Sequence, residues 1–182
     1  TVELDGAGVA DLRLLGLLGF LTEQIHLCHD AWERLDTVAE PDSLVDAAIG
    51  QLELRRARPE RAMFRLRSAI REFDDVGFLA VDLARAAFDV GELRLAERQL
   101  DRASGMEEPD PYEEHILLRA RIAAARGLDH EADELFADIA SRHRFPSIRL
   151  AWSSYLEDRG RFGEALTHGY SLVEEYPWKI DH

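Results

Sequence analysis

The chain has one cysteine, one lysine and six prolines in 182 residues, and it has no asparagine. The single cysteine, Cys28, excludes an internal disulfide and fits a reducing compartment. So few prolines, with no low-complexity tract, argue against long disorder. Bases are outnumbered 22 to 36, which leaves a net charge of −14. Such a surface repels nucleic acid and anionic membranes, so neither is expected as a partner. Long apolar runs are missing too. The stretch Val9–Leu21 spans 13 residues, against roughly 20 for a helix that crosses a bilayer. The first eleven residues set acids ahead of that stretch, the reverse of a secretory signal, and a cytoplasmic location is expected.

Catalytic chemistry has equally little support. His26, Cys28 and His29 come closest to a metal cluster. A helix would put the two histidines on one face, but zinc takes three or four ligands and Cys28 has a packing role instead. Asp129-His130-Glu131 lacks the second histidine of a zinc-protease helix and reads as a helix-start cap. Carboxylates abound, yet nothing selects one pair as acid and base. Gly6-Ala7-Gly8 follows no strand and stops short of a phosphate-binding loop. Arg55-Arg56-Ala57-Arg58 reads as a basic recognition patch or, more commonly for a cluster at a helix end, as a complement to the dipole. The chain is therefore expected to be no enzyme and to use no metal or cofactor.

A repeat of about 34 residues is what the sequence does contain. Small residues recur at Gly16, Gly50, Ala84, Ala120 and Ser153. Twelve positions after each comes another small residue: Cys28, Ala62, Ala96, Ala132 and Ala165. Helix backbones approach closely only where side chains are small, so the double series predicts stacked helix pairs. Seven residues after the first small position comes a turn position: Glu23, Ala57, Gly91, Gly127 and Gly160. Beyond the second small position lie Trp32, Leu66, Leu100, Phe136 and Gly169, then Leu35, Ala69, Ala103, Ile139 and Leu172. Apolar residues at this spacing mark one face of a helix.

Helices are expected over 9–21, 23–39, 43–56, 59–73, 78–90, 92–104, 111–126, 129–143, 147–159 and 161–176. Ser43, followed by Asp46, reads as a cap, and so does Asp110 ahead of Pro111 and Glu113. Pro59 suits a first helical turn. No alternating strand pattern competes, and a 46% apolar content is enough for a core.

With Ala120, Gly127, Ala132 and Phe136, and then Gly160, Ala165, Leu172 and Pro177, the chain resembles the tetratricopeptide-repeat (TPR) family. The resemblance covers about residues 9–179. It implies an all-α solenoid of five antiparallel helix pairs in a right-handed superhelix with a concave groove. The units run about 9–42, 43–76, 77–112, 113–145 and 146–179, after an arm at 1–8 and before a tail at 180–182. Asp46, Glu53, Arg119 and Arg149 depart from the family by standing at places that are usually apolar.

In that fold the first helix of each pair lines the groove. The template points Arg13, Leu17, Phe20, Leu44, Gln51, Leu54, Arg55, Phe78, Val81, Arg85, Phe88, Leu117, Arg121, Leu150 and Ser154 inward. Of these, Phe20, Leu54, Arg55, Phe78, Val81, Arg85, Phe88, Leu117 and Arg121 are the expected binding residues. Apolar anchors beside arginines suit a protein or peptide ligand, an amphipathic helix or extended segment carrying acidic residues. TPR proteins that grip a terminal carboxylate use lysine and asparagine. This chain's composition does not support that mode. Ile25-His26-Leu27-Cys28-His29-Asp30-Ala31 is faintly similar to the small TPR chaperones of bacterial type III secretion. A secretion or assembly chaperone is therefore the sharper form of the expected non-catalytic binding role.

Two alternatives stay open. Helix 9–21 is apolar nearly all round and has no earlier repeat to cover it. It is covered by the arm at 1–8, or it drives homo-oligomerisation. At the far end the tail at 177–182 is the matching cover. The third reading is a fragment of a larger regulator or enzyme.

Overall fold

A computed structural model describes residues 7–22, 24–38, 42–73, 76–105, 113–142 and 145–175. Among these the chain is all-α and contains no strand. The elements are α1 (Val9–Leu21), α2 (Ile25–Val38), α3 (Ser43–Arg55), α4 (Pro59–Ala69), α5 (Gly77–Asp89), α6 (Leu93–Ser104), α7 (Glu113–Ala125), α8 (Asp129–Arg142), α9 (Pro146–Asp158) and α10 (Phe162–Glu175). Consecutive helices pair as α1–α2, α3–α4, α5–α6, α7–α8 and α9–α10. The short turns between partners make each pair antiparallel. Two compact units result, Thr1–Glu107 and Glu108–His182. The first holds three pairs and the second two.

Four of the five turns close in the same way. The residue at the turn position has a left-handed backbone: φ is 53° at Ala57, 82° at Gly91, 74° at Gly127 and 73° at Gly160. In each, the next residue's N–H reaches the carbonyl five residues back. The pairs are Arg58 to Glu53 at 2.9 Å, Glu92 to Ala87 at 2.8 Å, Leu128 to Ala123 at 3.0 Å and Arg161 to Leu156 at 2.8 Å. This is the Schellman closure, which satisfies carbonyls that a helix end would otherwise leave unpaired. The fifth turn position, Glu23, lies outside the described residues.

Ala57 is the one non-glycine described in this conformation. A Cβ there costs about 1–2 kcal/mol, and glycine would give back part of that as chain entropy on unfolding. Ala57→Gly should therefore stabilise the protein by about 0.5–1 kcal/mol, read as a raised urea midpoint. Gly91→Ala should lose a similar amount. A lower midpoint for Ala57→Gly would show that this turn is not strained.

The small-residue series lies where the helices of a pair touch. Gly16, Gly50, Ala84 and Ala120 are buried, as are Cys28, Ala62, Ala96, Ala132 and Ala165. A Cβ on Gly16 would overlap the Trp32 ring, and one on Gly50 would lie 2.7 Å from Leu66 Cγ. Ser153 is half-buried and its hydroxyl donates to the Ala165 carbonyl at 3.1 Å.

The first unit's core gathers Leu12, Trp32, Leu35, Ile49 and Leu52 at one place and Leu66, Ile70, Leu79 and Leu83 at another. In the second unit Phe136 is fully buried between Trp152 and Tyr155, with ring centroids at 6.1 and 5.4 Å. Beside them Arg159 Nε donates to Asp129 Oδ1 at 2.8 Å, and Arg161 Nη1 reaches both Asp133 oxygens at 2.6 and 2.8 Å.

The expected Ser43 cap is corrected to Asp42. Its carboxylate accepts from the Leu44 and Val45 N–H groups at 2.9 and 3.4 Å, because Ser43 is already helical. Pro59 does occupy the first turn of α4. The expected Asp110 cap lies outside the described residues.

Three of the polar departures meet a polar group as follows. Asp46 accepts from Arg65 Nη1 at 2.8 Å, and Glu53 faces His29 Nε2 at 3.3 Å. Arg119 Nε donates to His115 Nε2 at 3.0 Å. Burial, helped by the charge of Arg149, lowers the pKa of His168.

At the outer helices, Leu14, Leu17 and Leu18 of α1 are exposed. So are Phe162, Leu166, Tyr170 and Val173, which form one stripe along α10.

Candidate functional site

Within the first unit a cavity of about 380 Å³ opens between the first helices of its three pairs. Leu17 comes from α1, Leu44, Ala48 and Gln51 from α3, and Phe78 from α5. The helical repeat explains this convergence. The template aligns Leu17 with Gln51, and Leu44 with Phe78, at a spacing of 34 residues, so each first helix turns the same face to the same side. Ala47 and Ala48 leave the space, and Trp32 of α2 supplies part of the lining through the gap left by Gly16. Leu44 is 67% exposed and Phe78 is 43% exposed, so the apolar wall is open to a ligand.

The polar groups at the rim are tied to one another. Arg13 forms an ion pair and hydrogen bond with Asp42, the residue that also caps α3. Gln51 Nε2 donates to Asp82 Oδ2 at 2.8 Å. The cavity is thus an apolar slot with one exchangeable arginine–carboxylate pair at its edge. Its described lining residues include no nucleophile–base pair.

Of the inward residues expected from sequence, Arg13, Leu17, Leu44, Gln51 and Phe78 line this cavity. Leu54 and Val81 do not; both are buried, and Leu54 packs with Leu66 and Leu79. Arg55 and Arg85 are exposed and Phe88 is half-buried. The side chain of Phe20 lies outside the described residues. In the second unit Leu117 packs half-buried beside the Phe136 cluster, while Arg121, Ser154 and Leu150 are exposed. Sequence reasoning missed Trp32 and Asp42 as lining residues. The signal for Trp32 was Gly16, whose missing Cβ makes room for the ring.

His26, Cys28 and His29, which the sequence reading set aside as a metal cluster, do not share one environment. His26 is exposed while Cys28 and His29 are buried. Burial pushes the Cys28 thiol up to about 11, against a smaller opposing pull from Arg55, which keeps it protonated at neutral pH. His130 pairs with Glu134 at 3.4 Å on an exposed face.

The sequence matches no family model and no curated protein. The fold is similar to several solved structures. MamA shares 15% identity over 96% of both chains, with a TM-score of 0.68. A thermophilic TPR protein from Thermus thermophilus shares 17% identity, covering 96% of this chain and 94% of that one, with a TM-score of 0.73. PilW, a type IV pilus biogenesis factor, shares 15% identity over 96% of this chain and 82% of its own, with a TM-score of 0.72.

Proposed function

We propose that this chain, which has the tetratricopeptide-repeat fold, is a non-catalytic module that binds a protein segment in the groove of its first unit. The observation that carries the reading is the open apolar wall of Leu17, Leu44 and Phe78, drawn from three successive first helices. Exposed apolar surface gathered in a concavity is the usual mark of a binding site. The ligand is an amphipathic helix or extended segment. Its apolar side chains fill the slot, and an acidic residue takes the place of Asp42 on Arg13. The segment Ile25–Ala31, which carries the resemblance to secretion chaperones, sends its His29 to the buried Glu53 carboxylate and not to the groove. The assembly-chaperone form of this reading therefore rests on the groove alone. No described helix is long and apolar enough to cross a membrane.

The test is a binding titration with a protein partner identified by cross-linking through a photoreactive group at Leu44. Phe78→Ala should weaken that partner about tenfold, or roughly 1.4 kcal/mol. Arg13→Glu should slow association, with an effect that shrinks in high salt. Unchanged affinity for both variants would remove the groove from the binding site.

A further inference from the structure

A second polar cluster shares no lining residue with the groove. His29 and Glu33 stand four residues apart on α2 and so share a face. Glu53 reaches them from the last turn of α3. His29 Nε2 lies 3.0 Å from Glu33 Oε1 and 3.3 Å from Glu53 Oε1, and one donor atom from each residue falls within 4.8 Å of the others. Glu53 is only 2% exposed. Its second oxygen, Oε2, is out of contact with water and accepts no hydrogen bond. Glu33 and Glu53 both line a cavity of about 350 Å³, together with Ile49, Phe64 and Arg65.

Hydrogen bonding leaves this arrangement short of donors. An imidazole nitrogen carries at most one hydrogen, yet two carboxylates compete for Nε2. A buried carboxylate oxygen without a partner is costly. Arg58 Nη1 comes within 3.7 Å of Glu53 Oε2, which is too far for a hydrogen bond but near enough for its charge to be felt. A divalent cation would meet all three groups at once. Ligand atoms about 2.0–2.2 Å from a tetrahedral zinc stand roughly 3.4 Å from one another, close to the 3.0 and 3.3 Å that separate His29 Nε2 from the two carboxylates.

We propose that His29, Glu33 and Glu53 form a site for one divalent transition cation of the zinc type. The imidazole and two carboxylates supply three ligands, and the cavity leaves the fourth position to water or to a donor from a partner. The sequence offered His29 only His26 and Cys28 as near companions, and Cys28 has a packing role. The fold supplies Glu33 and Glu53 instead.

The test uses full-length protein stripped with a chelator and titrated with Zn²⁺ against a chromophoric competitor. Wild type should take up one Zn²⁺ per chain and melt at a higher temperature with it. Glu33→Gln should weaken binding at least tenfold and abolish the melting shift. Because the Glu33 side chain is 55% exposed, this change does not disturb the core. Arg58→Gln should tighten binding severalfold by removing a competing charge. His130→Gln, at an exposed histidine elsewhere, should change nothing. Absence of stoichiometric uptake overturns the proposal. So does uptake that Glu33→Gln and Arg58→Gln leave untouched, or that is lost with His130→Gln. Groove variants such as Phe78→Ala should bind Zn²⁺ as wild type does, so the two sites succeed or fail separately.

Discussion

Replacing Phe136 with alanine should destabilise the protein by about 3–5 kcal/mol, the largest loss expected from any single change considered. The side chain is fully buried at the seam where α8 meets α9. It lies nearly parallel to the Trp152 ring, at an interplanar angle of 6°, and is tilted 23° from Tyr155. Removing it forfeits the transfer energy of a whole ring and leaves a cavity that two rigid neighbours cannot fill. The stacking itself adds about 0.5–1.5 kcal/mol. Typical domains have only about 5–15 kcal/mol in total, so the variant should be near its unfolding threshold at room temperature. Urea unfolding followed by tryptophan fluorescence reads this directly. Phe136→Leu should recover more than half of the loss. An alanine variant as stable as wild type would show that this seam does not hold the second unit together.

The opposite change, from small to large, should also be costly. Ala96→Leu and Ala132→Leu are each expected to lose about 1–3 kcal/mol. Both alanines are fully buried where the second helix of a pair crosses the first. Three added carbon atoms can be accommodated there only by pushing the helices apart. Ala137 lies on α8 as well but is exposed, so Ala137→Leu serves as the control and should stay within about 0.5 kcal/mol. If the buried and exposed substitutions behave alike in thermal melts, the small residues are not close-approach points.

Much of the fold was legible because close helix contact imposes spacing on the chain itself. Gly16 and Gly50 could be read as contact points, and Gly91, Gly127 and Gly160 as turns, since each requirement acts on one residue at a fixed interval. The helix ends were read less well. Asp42 and Ser43 are both competent caps, and only the backbone decides which one lies outside the helix. Long-range polar partners were illegible. Asp46 and Glu53 stood out as acids in apolar places, but nothing local says that Arg65 or His29 will meet them. The groove was half legible for a related reason. Leu44 and Leu54 lie on the same helix and both satisfy the apolar pattern. Which one faces a neighbour and which one faces the slot depends on how α4 and α5 pack. Trp32 escaped notice because its reach toward the groove depends on an absent Cβ on another helix.

The uniform turn closure also bears on how fast the chain can reach its fold. Each closure uses residues within six positions of one another, and helices pack against partners one or two elements away. Proteins dominated by such local pairings have low contact order, and the loop-closure entropy that slows mixed or all-β topologies is small for them. A helix pair has most of its own partners once about thirty residues have been synthesised. Within each unit folding can therefore nucleate at any pair and spread to the next, without waiting for distant parts of the chain to meet.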